Sequence, residues 1–276
     1  MKLTLPLFFK IFLLFGLTQT AGIYAAYKFL PALGPIEPGR IGDFSISDFA
    51  ILVFFVLFLV FIVRRFKLVN SVFFKFFLTV VVFAGVQEMS AIWLSPFVST
   101  LIAILLLILF WFFNNVFLQD VVMILTFAGV GAVLGISLAP ETAVLILVVL
   151  SFYDIIAVYK TRHMVELAEA MIQSRAIFGF VVPMSFKGFG ERMMRVSPGE
   201  QFMILGSGDV ILPLLLCASL VRTSVGQALI VALFSVAGLL LMHLIFTNQK
   251  VRQPMAALPP IAAMTILGYL AAFLIF

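Results

Sequence analysis

The sequence contains few charged residues. Asp, Glu, Lys and Arg make up 11% of its 276 residues, whereas 64% are hydrophobic and 33 are Phe. An average soluble domain is about one quarter charged and about half apolar. Because no soluble core of this size buries so much apolar side chain, the composition predicts an all-α, polytopic membrane protein. The apolar runs are long and continuous rather than alternating, which disfavours a membrane β-barrel.

The sequence also nearly lacks cysteine. Cys217 is its single cysteine, which excludes an intrachain disulfide and a cysteine metal cluster. We interpret it as a small hydrophobic residue within a helix, and we expect no metal and no cofactor. The net charge of +5 would indicate a nucleic-acid partner in a soluble protein, but here the distribution of the charges along the chain explains it better, so no nucleic acid is expected.

Nine apolar segments are predicted to cross the membrane, separated by turn and charged residues. They are Leu7–Leu33, Phe49–Val63, Val72–Leu94, Phe97–Phe113, Val121–Leu138, Thr142–Tyr159, Met203–Val221, Val225–Phe246 and Ala256–Phe276. The first segment is longer than the ~7–15 apolar residues of a signal peptide, so we expect it to be retained as a span.

The basic residues predict the orientation of these spans. With the N-terminus inside, only Lys28, Arg40 and Arg222 of the 17 Lys and Arg residues fall outside. Basic residues concentrate in the cytoplasmic loops of membrane proteins. Adding or removing one span would destroy this separation, so the chain is predicted to have nine spans, with its N-terminus inside and its C-terminus outside.

One long polar connection, Lys160–Phe202, joins spans six and seven on the inside. It divides the chain into residues 1–159 with six spans, a cytoplasmic segment 160–202, and residues 203–276 with three spans. Its first part, "YKTRHMVELAEAMIQSR", predicts an amphipathic helix that extends span six. The next part, "AIFGFVVPMSF", fits either a short strand or a loop at the membrane surface.

Two aspartates, Asp154 and Asp209, lie within predicted spans. Carboxylates at such depth are costly and usually face the bundle interior or a water-filled cavity. Counted along the two spans, both lie about 9 Å from the inner boundary. The spans are consecutive and antiparallel, so adjacent helices would bring the carboxyls to one level. Asp120, at the start of span five, is interpreted as a helix cap instead.

A pair of buried carboxyls supports two kinds of function. Both cannot ionise in a low-dielectric site, so they share one proton. The ionised member can then take a proton from water while the protonated member polarises a carbonyl, which would hydrolyse an amide without a covalent intermediate. The same pair could instead load and release protons in a proton- or cation-coupled transporter or leak channel. A silent scaffold is less favoured, because buried carboxylates are costly to keep.

The residues around Asp209 favour access for a peptide. Gly206, one helical turn away on the same predicted face, and Gly208 let another backbone approach closely. Pro213 cannot donate to the carbonyl of residue 209, which opens the helix at the aspartate.

Three short motifs occur in order along the chain: "YD" at Tyr153–Asp154, "GxGD" at Gly206–Asp209, and a "PAL"-like sequence at Ala257–Pro259. Together they resemble the presenilin and signal-peptide-peptidase group of intramembrane aspartyl proteases. In the last motif Ala256 replaces the leading proline. The motifs occur in the family's order and on the expected spans, and the polar tail of span six is also similar to that of presenilin.

The resemblance implies that Asp154 and Asp209 form the catalytic dyad. It implies that further residues shape the site and hold the substrate, namely Tyr153, Gly206, Ser207, Gly208, Ala257, Leu258 and Pro259. The substrate would be the transmembrane helix of another membrane protein, which unwinds near the cut and pairs as a strand with the enzyme. Either "AIFGFVVPMSF" or "QFMIL" would supply the edge for this pairing.

The resemblance also has implications for the topology, membrane and partners of the protein. The predicted N-inside topology is that of presenilin, and the chain has no large insert between spans six and seven. It therefore looks like a compact archaeal homologue, a multi-pass protein in the cell membrane of a prokaryote. We expect its partners to be the lipid bilayer and substrate helices, with no obligatory accessory subunits, and with a homo-oligomer as one form of assembly.

Overall fold

The fold is a helical bundle with one small sheet. The computed structural model describes residues 5–33, 71–161, 163–196, 201–249 and 255–275. The helices in these ranges are α1 Leu5–Phe29, α2 Ser71–Ala91, α3 Pro96–Phe113, α4 Val116–Ile136, α5 Pro140–Ile155, α6 His163–Ser174, α7 Ser207–Leu220, α8 Val225–Thr247 and α9 Leu258–Ile275. The strands are β1 Gly179–Pro183 and β2 Phe202–Gly206.

Within the described ranges, seven helical segments are long and apolar enough to cross a membrane. They are formed by α1, α2, α3, α4, α5 with its continuation to Lys160, α8 and α9. Helix α7 is also apolar but has only 14 residues. These helices coincide with eight of the nine predicted spans. The remaining predicted span, Phe49–Val63, lies outside the described residues.

Helix α7 occupies the centre of the bundle, where it contacts α1, α4, α5, α8 and α9. Every residue from Pro213 to Leu220 is buried, including Cys217, which packs as the predicted small hydrophobic residue. Around this centre some helices cross very closely. A Cβ added to Gly129 of α4 would lie 2.2 Å from the Gly85 carbonyl oxygen of α2, so this crossing requires glycine.

Helix α4 begins earlier than the sequence predicts, at Val116. The Asn115 side chain accepts a hydrogen bond from the Leu118 N–H and so caps the helix. The prediction that Asp120 is a cap is therefore wrong. Asp120 lies inside the helix and is 1% exposed, and its Oδ1 accepts a hydrogen bond from the Val181 N–H of β1 at 2.8 Å.

The connection between α5 and α7 differs in part from its prediction. The segment "AIFGFVVPMSF" contains β1, which confirms the strand alternative and rejects the surface loop. The predicted amphipathic helix is present as α6, but it does not extend α5. It begins at His163, after a π-helical turn at Ile156–Lys160 and a bend at Thr161. A long polar segment thus folds back as a helix and a strand instead of continuing α5.

The second strand corrects the predicted start of span seven. Residues Phe202–Gly206 form β2, antiparallel to β1 with Val181 opposite Ile204. Helix α7 therefore begins at Ser207 instead of Met203, and Gly206 precedes the helix as its N-cap residue instead of sharing a helical face with Asp209. The run Phe-Met-Ile-Leu fits strand pairing as well as helix, and the pairing with β1 decides between them.

Candidate active site

Asp154 lies in the last turn of α5 and is buried. Its Oδ2 accepts a hydrogen bond from the Leu258 N–H, the first residue of α9, at 3.3 Å. The first turn of a helix leaves its N–H groups without intrahelical acceptors, and Pro259 and Pro260 have no N–H. Leu258 therefore provides a backbone N–H donor at this end of α9, and Asp154 accepts its hydrogen bond.

Asp209 is the third residue of α7 and is partly exposed. Its carboxyl lies beside Gly206, the N-cap residue of α7, because a Cβ added to Gly206 would lie 3.2 Å from Asp209 Oδ2. Helices α5 and α7 pack together, and the Asp154 carboxyl lies close enough to interact with Asp209 through its charge. The structure thus brings Asp154, Asp209 and Leu258 together.

Helix α7 is continuous through Pro213, and the predicted opening of the helix at Asp209 stays a prediction. Proline at position 213 leaves the carbonyl of residue 209 without its usual helical donor. One position further on, the Val210 carbonyl accepts a hydrogen bond from Gln19 Nε2 of α1 at 3.0 Å. The sequence analysis did not single out Gln19, although a glutamine within a predicted span is a signal of a buried polar contact.

The other residues predicted for the site take different positions. Gly208 is exposed, and an added Cβ would only approach Leu212 at 3.9 Å. Ser207 joins α7 to the sheet through its N–H, which donates to the Phe178 carbonyl at 3.0 Å. Ala257 and Pro259 are partly buried on either side of Leu258, whereas Tyr153 is exposed on the surface of α5.

The register of the sheet determines which backbone groups point away from it. The Ser207 N–H donates to the Phe178 carbonyl, and the Met184 N–H donates to the Gln201 carbonyl at 2.8 Å. Since residue pairs alternate along an antiparallel ladder, the even-numbered residues of β1 and the odd-numbered residues of β2 bond each other. The outer edge of β1 is therefore formed by its odd-numbered residues, and the outer edge of β2 by its even-numbered residues, with Ile204 at the centre.

Three polar side chains from α1 and α4 bond the outer edge of β1 and its ends. We call Lys10, Gln119 and Asp120 the edge clamp. Their bonds join Asp120 Oδ1 to Val181 N–H (2.8 Å), Gln119 Nε2 to the carbonyls of Ile177 (2.8 Å) and Gly179 (3.4 Å), and Lys10 Nζ to the carbonyls of Pro183 (2.7 Å) and Met184 (3.1 Å). None of these contacts is evident from the sequence, in which Lys10 reads as an inside charge and Asp120 as a helix cap.

Within the part of the chain that the structure describes, no group of three or more His, Cys, Asp or Glu side chains could hold a metal ion. The site itself presents two carboxyls, a backbone N–H and the neighbouring sheet.

The fold defines a class of membrane protein. Two solved structures described as a presenilin family intramembrane aspartate protease, in C222 and P2 space groups, are similar to this chain. The first has a TM-score of 0.65 at 23% identity and covers 99% of this chain and 100% of its own. The second has a TM-score of 0.62 at 24% identity and covers 97% of both chains. At these identities the likeness concerns the fold.

The family follows from the sequence. A family model described as signal-peptide peptidase, presenilin aspartyl protease matches residues 44–276. The chain belongs to this family, which confirms the resemblance drawn from its three motifs. It is an intramembrane aspartic endopeptidase and a multi-pass membrane protein. No protein with a curated description matches the chain in sequence.

Gly206→Ala is expected to lower the cleavage rate by up to about tenfold. An added Cβ would lie 3.2 Å from Asp209 Oδ2, so the carboxyl must move by a few tenths of an ångström, and a full 1 Å misplacement costs about 10²-fold. The φ of −65° at Gly206 suits alanine, so the backbone itself is not strained. The measurement is kcat on a single-span reporter peptide. Gly190→Ala is the matched control, because no atom lies within 4 Å of its added Cβ, and equal rates in the two variants would contradict the prediction.

Proposed function

We propose that this protein hydrolyses peptide bonds within transmembrane segments of other membrane proteins, with Asp154 and Asp209 as its catalytic dyad. One observation carries the proposal: Asp154 in the last turn of α5 and Asp209 in the first turn of α7 lie on packed helices, and Asp154 bonds the N-terminus of α9 through the Leu258 N–H. Buried carboxylates in a membrane protein are costly, and their pairing is the arrangement that supports acid–base chemistry.

The proposed reaction needs only the dyad and one water molecule. The ionised carboxyl takes a proton from water as the water oxygen attacks the peptide carbonyl, and the protonated carboxyl donates a hydrogen bond to the carbonyl oxygen. The resulting tetrahedral intermediate breaks its C–N bond as the amine leaves with a proton from the dyad. The products are a carboxylic acid and an amine, and one shared proton remains on the dyad. The Leu258 N–H orients Asp154 for these steps.

The substrate strand is proposed to pair with the outer edge of β2. Both candidate segments form strands, but the edge clamp occupies the outer edge of β1, and all five residues of β1 are buried. In β2, Ile204 and Gly206 are partly exposed. Among the described residues, none bonds the outward N–H or C=O of Ile204. An unpaired edge of this kind is the template that strand addition uses.

The position of β2 suits this role. The strand leads directly into α7, and Asp209 follows the last residue of β2 by three positions. A peptide paired along Ile204 would extend past Gly206 to the dyad. Gly208, which is exposed there, leaves room for the peptide backbone. Tyr153, Ser207, Ala257 and Pro259 are proposed to shape the remaining walls.

The proposal includes the setting of the enzyme. The charge distribution supports an N-terminus inside, a C-terminus outside and nine spans. The compact chain supports cleavage without accessory subunits, as a monomer or a homo-oligomer, in the cell membrane of a prokaryote. The substrates are single transmembrane helices of other proteins, reached through the lipid bilayer.

Purified protein in detergent tests the proposal with a reporter peptide that contains one transmembrane segment. Cleavage within the apolar segment is expected, and a transition-state analogue of aspartic proteases should block it. The same protein in liposomes is tested for proton and cation flux. Flux that needs both aspartates, together with an intact reporter, would contradict the proposal and favour the transporter or leak channel.

A further inference from the structure

The edge clamp places three polar groups where an apolar bundle would not need them. Lys10, Gln119 and Asp120 are 4%, 2% and 1% exposed, although they belong to helices that are otherwise apolar enough to cross a membrane. Buried polar groups are costly unless they are bonded, and within membranes they are usually functional. Each of the three bonds the same strand.

The hydrogen bonding of Asp120 is directed at β1. Its Oδ1 bonds the Val181 N–H, whereas its buried Oδ2 has no hydrogen-bond partner among the described residues. The one bond that Asp120 makes satisfies the Val181 N–H at the centre of the outer edge of β1, between the Gly179 carbonyl that Gln119 bonds and Pro183, which has no N–H.

Lys10 fixes the far end of the same edge. Its ammonium donates to the Pro183 and Met184 carbonyls and lies 4.3 Å from the ring centroid of Phe186 and 5.6 Å from that of Phe189. Aromatic rings of this kind attract a cation and shield it from water. The strand is therefore bonded at both ends and at its centre, so it cannot slide along α4.

We infer that Lys10, Gln119 and Asp120 are positioning residues that determine which peptide bond of a substrate is cut. The inference rests on the proposed function. The clamp holds β1, β1 holds β2 through the ladder, and Phe178 holds the start of α7 through Ser207. A substrate paired with β2 is thereby held in one register relative to Asp209. By occupying the outer edge of β1, the clamp also directs the substrate to β2.

A change of register moves every paired residue along the strand and exchanges the faces of its side chains. A loosened clamp should therefore change where the substrate is cut, in addition to how fast. A role limited to stabilising the fold would lower the amount of folded protein, but the folded fraction would still cut at the same bond.

The test compares Asp120→Ala and Gln119→Leu with the full-length wild-type protein in detergent. Products of the reporter peptide are mapped by mass spectrometry, and amide hydrogen exchange is measured over residues 177–183. We expect additional cut positions one or two residues away, a fall in kcat/KM of about tenfold, and exchange at least about tenfold faster over β1. Gln119→Leu keeps the test decisive if Asp120→Ala does not fold.

Two further variants separate positioning from folding. Asp120→Asn keeps an oxygen that can accept from the Val181 N–H, so it should restore the wild-type cut position. Thr126→Val is the matched control on α4, because its hydroxyl bonds only the Val122 carbonyl of its own helix, at 2.7 Å. It should cut at the wild-type position and exchange at the wild-type rate.

The outcomes distinguish this inference from the proposed function. Folded Asp120→Ala and Gln119→Leu proteins that cut only at the wild-type bond would overturn the positioning role. Wild-type protein that cuts no reporter would instead contradict the proposed function. In that case unchanged exchange over residues 177–183 in both variants would overturn the clamp itself, and faster exchange would support it.

Discussion

Asp154→Asn and Asp209→Asn should each reduce cleavage of a transmembrane reporter by at least about 10²–10⁴-fold. Asparagine has nearly the shape of aspartate, and at position 154 its oxygen can still accept from the Leu258 N–H, so the contact between the helices remains. What disappears is the exchangeable proton of the dyad. The double variant should be no slower than the single variants, because groups that act as a unit are not additive.

The measurement is single-turnover cleavage by each purified variant, with folding checked by thermal melting. Glu88→Gln is the matched control, since Glu88 is an exposed acid near the end of α2 and its loss should leave the rate unchanged. If either folded dyad variant kept more than about one tenth of the wild-type rate, or if the two losses multiplied in the double variant, the shared-proton mechanism would be rejected.

Ile204→Pro should lower kcat/KM by about 10²-fold without unfolding the sheet. The Ile204 N–H points outward, so proline removes no bond to β1, and proline is tolerated on such an edge. The change removes the donor that a substrate strand would use, and the proline ring occupies the approach of that strand. A misplaced substrate backbone has an effect of this size on the rate.

Ile204→Val separates the side chain from the backbone, because it keeps the N–H, and it should keep most of the wild-type rate. Met203→Pro provides the opposite comparison. Met203 faces Val182 in the ladder, so proline there removes a bond within the sheet and should destabilise the fold. A fully active Ile204→Pro protein would show that substrates do not pair with this edge.

Much of the bundle follows from composition alone. The predicted spans coincide with described helices wherever the structure describes them, because long apolar runs have few other stable forms in a membrane. The two aspartates proposed as the dyad can be singled out in the same way. A carboxylate in such a run stands out against its surroundings, and the motifs around Asp154 and Asp209 place both in a known family.

The contacts of the sheet could not be predicted from local pattern. The run from Phe202 to Leu205 is equally apolar as a strand and as a helix, so the start of α7 was placed at Met203. Asp120 bonds a residue 61 positions away, and nothing near it in the sequence indicates Val181. Its role depends on how α4 and β1 meet, which is a property of the folded chain.

The shortness of α7 has a consequence for hydration. Its 14 residues rise only about 21 Å, whereas the hydrocarbon layer is about 30 Å thick. The five-residue strand before it extends about 16 Å, so we expect β2 and its open edge to lie at membrane depth. Backbone groups that are unpaired at this depth are tolerated only where they line a watery cavity. We therefore expect a water-filled recess beside Asp209 in the resting protein, which would supply the hydrolytic water of the proposed reaction.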